Sequence, residues 1–448
     1  MSVEEAIFAL ASGAGRAGIA VIRLSGPGSG KALQRLSAGP LPSPRQATRT
    51  SFRCPKNKDT VLDDGLALWF PAPASFTGED VVELHLHGGP AVIGAIVDAL
   101  SGLPGLRPAE AGEFSRRAFE NGKFDLTAAE GLADLIDAET DAQRRQAQRQ
   151  SRGELGRLYD GWAAQLTRAQ ALTEADIDFS DEDIPDDLLG EALAITADLN
   201  RQIAAHLDDG HRGERLRAGL YLAIVGPPNA GKSSLLNRLA KRDAAIVSDI
   251  AGTTRDVIDV HLDLGGYPVI AADTAGWREA RDSIETEGVR RARERAGDAD
   301  MKLAVFDATD LDTDGGLDAL TLDLIDADTL VVLNKADLVT SPLPGHIEKC
   351  PAFAVSAKTG SGLDTLLDAL QSEAAERMAG EGAGLTRQRH RSALTTCRQA
   401  LARAAEAGEP ELMGEDLRLA SRELGRITGR VDVEDLLDVI FSEFCIGK

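Results

Sequence analysis

The 448 residues set a length prior of roughly three domains, and a hydrophobic content of 43% supplies several cores. A net charge of −23 argues against a general polyanion binder, so any nucleic-acid contact must rest on a local basic patch. The opening MSVEEAIFALASGAGRAG has acids where a secretory leader needs lysines, and no apolar run approaches about 18 residues; the four scattered cysteines, Cys54, Cys350, Cys397 and Cys445, lack metal or disulfide spacing. The expectation is a reduced, cytoplasmic protein without a membrane span.

Residues 1–122 predict a mixed α/β domain, with strands in GIAVIRLSG, DGLALWF and DVVELHLHG punctuated by Gly and Pro. His85 and His87 alternate on one strand face, where a packed or polar face is favoured over a metal pair because no third ligand is near. Asn121-Gly122 marks a turn before Lys123. Residues 123–215 predict the first half of a helical domain, since Leu, Ile and Ala recur at helical spacing from Leu126 to about Asp208. The acidic DIDFSDEDIPDD interrupts it as a loop, and a Gly/Arg-rich hinge, HRGERLRAG, closes it.

Residues 216–375 alternate strands and helices around a complete G-x-x-x-x-G-K-[ST] loop, Gly226 to Ser233, between the apolar LYLAIV and the helix-prone SSLLNRLA. Within it Asn229, Ala230, Gly231, Lys232, Ser233 and Ser234 are the candidate phosphate contacts: backbone N–H groups converge on phosphate oxygens, Lys232 adds a point charge, and the Ser233 hydroxyl suits Mg²⁺. Thr253 and Thr254 lie on a loop after the first helix, where Thr254 can reach Mg²⁺ only while a γ-phosphate holds the segment; this is a switch. Asp273, Thr274, Ala275 and Gly276 form the second switch, with Asp273 in the Mg²⁺ shell and Gly276 offering an N–H to the γ-phosphate. Asn334, Lys335 and Asp337 select the base, because a carboxylate accepts two hydrogen bonds from guanine and would be left unpaired by adenine. Ser356, Ala357 and Lys358 complete the set after the apolar FAV. Five motifs in this order predict an inserted Ras-like P-loop GTPase domain that takes GTP and Mg²⁺.

Residues 376–448 resume helical periodicity after the flexible GEGAG and predict the second half of the helical domain, so that the GTPase unit is inserted between its halves. Arg418, Arg422, Arg426 and Arg430 recur every four residues; a salt-bridged face is favoured over an RNA site, given Glu415, Asp416 and Glu423 nearby. By residue chemistry alone Cys445, beside Lys448, reads equally as a functional thiol and as a free or packed one.

The N-terminal Gly18-Ile19-Ala20-Val21-Ile22-Arg23, Phe76-Thr77-Gly78-Glu79-Asp80 and GEFSRRAFENGK, a GTPase inserted in a helical domain, and the terminal FCIGK together resemble the tRNA-modification GTPase family MnmE, also called TrmE. The GTPase motifs alone would also admit Era- or Der-like ribosome-assembly switches, which have no use for the two flanking regions. The resemblance implies a homodimer joined through N-terminal domains that bind a tetrahydrofolate one-carbon donor (5-formyl or 5,10-methylene). It implies work with the FAD-containing partner MnmG to add a (carboxymethyl)aminomethyl group at C5 of the wobble uridine of certain tRNAs. It carries over Arg23, Glu83, Lys123 and Lys448 as folate contacts and raises Cys445 toward a catalytic role. Trp277 stands where Ras-like enzymes place a water-orienting glutamine and cannot orient water, so the resemblance points instead to Glu285, acting through a second water. The resemblance also implies that K⁺ stands in for an arginine finger, held by Asn229 and by backbone of the loop Ser248, Ile250 and Thr253. Ala111, where the family usually has proline, and Trp277, where it has an aliphatic residue, are departures.

Overall fold

The computed structural model describes residues 5–178, 187–241, 259–273, 296–312, 316–380, 384–431, 434–442 and 444–447. They form two compact units: Met1–Ala133 with Gln150–Ala197 and Gln399–Lys448, and Asp134–Arg149 with Asp198–Arg398.

The first unit holds a six-stranded sheet of β1 (Ala6–Leu10), β2 (Ala17–Ser25), β3 (Thr48–Cys54), β4 (Asn57–Phe70), β5 (Val81–Gly88) and β6 (Leu106–Pro108). Their order is β3-β4-β5-β2-β1-β6, antiparallel except for β1 beside β6. Alternation decides the faces: Ile22, Leu24, Ala67, Trp69, Leu84 and Leu86 point into a core closed by helices Ser29–Ser37 and Pro90–Ser101. The opposite face carries Arg23, Glu83 and His85, with Glu83 in register with Arg23 and His85 with Val21. All three strands expected here are present; β1, β3 and β6 extend the sheet.

Two long helices of this unit, Glu154–Asp178 and Pro410–Thr428, meet along 3/4-spaced apolar stripes. Tyr159, Trp162, Leu166, Ala169 and Thr173 are buried on one, and Met413, Leu417, Ala420, Leu424 and Ile427 on the other. Pro410 opens the second at a position that needs no N–H, and Gly429 closes it at φ 84°, where a Cβ would lie 2.7 Å from the Phe119 ring.

The second unit is built on a seven-stranded sheet: β7 (Leu220–Val225), β8 (Asp259–Leu264), β9 (Tyr267–Asp273), β10 (Met301–Asp307), β11 (Thr329–Asn334), β12 (His346–Ile347) and β13 (Cys350–Ala354). The order is β12-β13-β11-β10-β7-β9-β8, with the five from β13 to β9 parallel and the two outer strands antiparallel. Near-continuous apolar runs, such as the fully buried TLVVLN of β11, suit strands covered on both faces. Helices Lys232–Leu239 and Leu363–Met378 bury Leu235, Leu236, Leu239, Leu366 and Leu370 against one of those faces.

The stretch expected as a hinge is instead helix Arg212–Ala218. Gly213 there serves close approach, since a Cβ would sit 2.2 Å from the Leu385 carbonyl oxygen, and Gly219 ends the helix at φ 90°.

Candidate functional site

Parallel strands present their carboxyl ends to one edge, and the candidate nucleotide residues stand there: the phosphate loop after β7, Asp273 ending β9, Asn334 ending β11, and Ser356 two residues past β13. The phosphate loop turns tightly over β10. A Cβ on Gly226 would lie 2.2 Å from the Val305 carbonyl oxygen, and Asn229 and Gly231 take φ of 64° and 93°. Ala230 is buried while Asn229, Ser233 and Ser234 are exposed at the mouth of the loop and the first turn of helix Lys232–Leu239. The Lys232 ammonium folds over the loop, donating to the carbonyls of Gly226 and Pro227 at 2.7 and 2.9 Å. That places it on the rim where phosphates of a nucleotide would sit, beside a helix N-terminus that favours anions.

Asn334 joins three loops. Only 2% exposed, it donates from Nδ2 to the Ala230 carbonyl at 2.8 Å and accepts at Oδ1 from the Ala357 N–H at 3.0 Å. The Ser356 N–H donates to the Ser361 carbonyl at 2.9 Å, and its hydroxyl accepts from the Thr359 N–H at 3.1 Å, which shapes the loop that ends in the exposed Lys358. Asp337, in the short 3-10 turn Ala336–Leu338, is exposed and open to a base. Lys335 takes φ 61° and reaches back to Asp307, Nζ to Oδ2 at 2.5 Å.

Asp307, opposite Asn334 in the β10–β11 register, is a residue the motif reading missed. Burial pushes its carboxyl up, but hydrogen bonds from Lys335 and from the Thr309 hydroxyl and N–H hold it below the usual carboxylate range. The available signal was its place at the end of the apolar MKLAVFD, as Asp273 and Asn334 end their own runs.

A second polar constellation lies on the open face of the first sheet. Arg23 donates to Glu83 from Nη2 at 2.9 Å and Nε at 3.1 Å, and its guanidinium lies 5.4 Å from the centroid of the Phe76 ring and 5.9 Å from that of Phe114. Lys123 donates to the Pro73 carbonyl at 2.9 Å, and the neighbouring Asn121 holds the Thr77 carbonyl at 2.8 Å. Glu79 accepts from Ser25 at 2.7 Å and from Arg117 at 3.2 Å, and Glu113 accepts from Arg107 at 2.6 and 2.8 Å and from Arg117 at 2.9 Å. Burial pushes the Glu113 carboxyl up, yet these arginines and the Glu110 N–H bring it below its ordinary value. The C-terminal tail docks on the same unit. Ile446 bridges to Ala111, the Gly112 N–H donates to the Cys445 carbonyl at 3.5 Å, and Gly447, at φ 100°, sits where a Cβ would be 2.2 Å from the Leu10 carbonyl oxygen. Leu10 faces Ile22, the neighbour of Arg23, and the Cys445 side chain is exposed.

Residues 126–445 match the model of the MnmE helical domain, and residues 6–123 match that of the GTP-binding protein TrmE N-terminus. The chain is 60% identical over 447 residues to the tRNA modification GTPase MnmE of Paramagnetospirillum magneticum, covering 100% of both. The chain belongs to the tRNA modification GTPase MnmE family. Its identity to the MnmE of Rhodospirillum rubrum is 57% over 459 residues, covering 99% of each. Among solved structures it is similar to Aquifex aeolicus Era, at 28% identity over 40% of this chain and 66% of that one, with a TM-score of 0.27.

As an MnmE-family member the chain is a GTPase and binds GTP. Among the described residues no helix is long and apolar enough to cross a membrane. Thr253, Thr254, Thr274, Ala275, Gly276, Glu285, Ser248, Ile250 and Lys448 lie outside the described residues, as does Trp277. His85 and His87 face carboxylates, Glu83 at 3.5 Å and Asp63 at 2.7 Å. In the arginine stripe, Arg418 meets Glu174 and Glu415, Arg426 meets Glu423, and Arg430, beyond the helix end, meets Asp160. Of the neighbouring acids expected here, Glu415 and Glu423 pair with the stripe while Asp416 pairs with Arg403; Glu174 and Asp160 come from helix Glu154–Asp178.

Proposed function

We propose that this chain is the GTP-hydrolysing component of a tRNA wobble-uridine modification enzyme. The observation that carries the nucleotide part is the junction at Asn334, one buried amide tying the phosphate loop to the loop that ends in Lys358. We assign Asn229, Ala230, Gly231, Lys232, Ser233 and Ser234 to the phosphates, Asp337 with Asn334 and Lys335 to guanine, and Ser356, Ala357 and Lys358 to the far side of the base. Thr253, Thr254 and the Asp273–Gly276 segment answer to the γ-phosphate. Ser233 and Thr254 would hold Mg²⁺, which offsets charge on the phosphates. The exposed Asn229, with the loop Ser248, Ile250 and Thr253, would hold K⁺ in the place of an arginine finger, and Glu285 would polarise the attacking water through a second one. Family resemblance supports these last two assignments.

The family also supports a homodimer, a flavin-bearing MnmG partner, a tetrahydrofolate one-carbon donor and a cytoplasmic tRNA substrate modified at C5 of the wobble uridine. For the donor, the Arg23–Glu83 pair between Phe76 and Phe114 combines a carboxylate that can hydrogen-bond a pterin with rings that can pack against it. Lys123 and Lys448 would meet the glutamate tail. Cys445 would act as the thiol of that site.

The test is a strain lacking the gene, complemented with wild type, Glu285→Ala or Arg23→Ala, with wobble uridines analysed by mass spectrometry. We expect modification to return only with wild type, and purified Glu285→Ala to lower kcat more than KM. K⁺ should accelerate hydrolysis where Na⁺ does not. Full modification in the uncomplemented strain refutes the reading.

A further inference from the structure

Charge is segregated along this chain. Residues 6–58 contain nine lysines and arginines and no aspartate or glutamate, in a protein with 72 acids and a net charge of −23. The interval folds as β1, β2, helix Ser29–Ser37 and β3 with its turn into β4; β3 is one of the two edges of the six-stranded sheet, and its single partner strand β4 carries Asp59, Asp63 and Asp64. The helix turns Ala32, Leu33 and Leu36 toward Phe52 of β3 and leaves Lys31 and Arg35 exposed one turn apart. Arg49 on β3 and Lys56 and Lys58 at the hairpin turn are exposed as well, and the half-buried Arg53 braces the hairpin by donating to the Lys58 carbonyl at 3.0 Å. Among the described residues none of these six cations forms an ion pair, whereas Arg418, Arg426 and Arg430 each meet an acid.

Charges on an edge strand also block unwanted strand pairing. That accounts for Arg49 and the hairpin lysines. It does not account for Lys31 and Arg35 on a helix, nor for 53 consecutive positions without an acid. Arg49 and Arg53 are four residues apart, about 13 Å along the strand, so the cations form a strip rather than converging on one anion. A strip of unpaired cations suits a chain of phosphates.

We propose that the β3 edge, with Lys31 and Arg35 beside it, is a docking surface for the phosphate backbone of RNA. This rests on the tRNA reading above, since a tRNA is the polyanion that the family's activity brings to the protein. Contact of this kind positions the RNA without reading its sequence.

The experiment titrates the full chain with unfractionated tRNA by fluorescence anisotropy between about 50 and 200 mM salt. Arg49→Gln/Lys56→Gln/Lys58→Gln should weaken binding on the order of tenfold or more and lower the salt slope by about two to three, close to one for each phosphate no longer neutralised. Lys31→Gln/Arg35→Gln should lower it by up to about two. Both variants should keep the wild-type melting temperature and RNA-free GTPase rate, and Arg418→Gln should bind tRNA as wild type does. Wild-type affinity and slope in both multiple variants overturn the proposal while leaving the tRNA reading intact. Wild-type protein without salt-dependent tRNA binding overturns both. Variants that bind tRNA normally but lose an acidic protein partner overturn it in favour of a protein interface.

Discussion

Asn334→Ala is the sharpest perturbation of the nucleotide site. Asn334 is 2% exposed and makes two hydrogen bonds, to the Ala230 carbonyl at 2.8 Å and from the Ala357 N–H at 3.0 Å. Alanine removes both and leaves the buried Ala230 acceptor and the half-buried Ala357 donor without these partners, each worth up to about 1–3 kcal/mol. Some relaxation is available because the Ala357 loop reaches the surface, so the combined cost is about 2–4 kcal/mol. That restraint holds the phosphate loop against the Ser356–Lys358 loop, so on the proposed site most of it should be lost from nucleotide binding: about thirtyfold to a thousandfold weaker affinity. Asn334→Asp is no rescue, because it keeps the acceptor for Ala357 but sets a carboxylate against the Ala230 carbonyl. Equilibrium titration with a fluorescent GDP analogue reads both variants. Affinity within threefold of wild type in Asn334→Ala would show that the loops do not need this link.

Gly231→Ala should abolish GTP binding, since the residue sits at φ 93° and a Cβ would lie 2.2 Å from Asn334 Nδ2; binding by isothermal calorimetry checks it, and a retained micromolar affinity would contradict the loop geometry. Asp307→Asn should change the acid limb of thermal stability. The folded Asp307 carboxyl lies below its ordinary value, so its contribution is full above the unfolded pKa of about 3.9 and is lost as pH falls through the folded one. Melting curves from pH 7 to pH 3 should therefore show a smaller drop below about pH 4 in the variant than in wild type. Gly447→Ala, at φ 100° and 2.2 Å from the Leu10 oxygen, should detach the C-terminal tail and weaken reduced-folate binding, with GTP hydrolysis unaltered. Wild-type reduced-folate affinity would mean that the tail is held elsewhere.

The placement of the candidate nucleotide residues was legible because they are local and punctuated. In a parallel sheet a polar residue that ends an apolar run must arrive at the carboxyl edge, so LYLAIV, PVIAAD, TLVVLN and FAV could be placed before their neighbours were known. The links between those ends were not legible. Asn334 carries its motif whether or not its amide reaches Ala230, and Asp307, with no motif of its own, acquires meaning only when β10 lies beside β11. Short glycine-bearing segments misled in the other direction. HRGERLRAG looked like a hinge, yet its glycines are there because Leu385 passes within contact of Gly213 and because the chain must turn at Gly219.

Distance along the chain sets the same limit in the first unit. Arg23 and Glu83 face one another from β2 and β5, a pairing that alternation allows but cannot specify, because a one-residue slip would put Glu83 in the core with Leu84's neighbours. What pins the register is the apolar face: Leu24, Leu84 and Leu86 are buried beneath the sheet only if Arg23 and Glu83 are above it. The polar pair is thus held in place by hydrophobic burial on the opposite side of the strands. Glu83→Gln should accordingly leave the sheet's stability nearly unchanged while weakening whatever anionic or pterin-like ligand Arg23 serves, whereas Leu84→Ala should cost about 2–5 kcal/mol and disturb both faces together. A folate titration beside a denaturant melt of each variant separates the two: equal loss of stability in both would mean that the ion pair, and not the apolar face, sets the strand register.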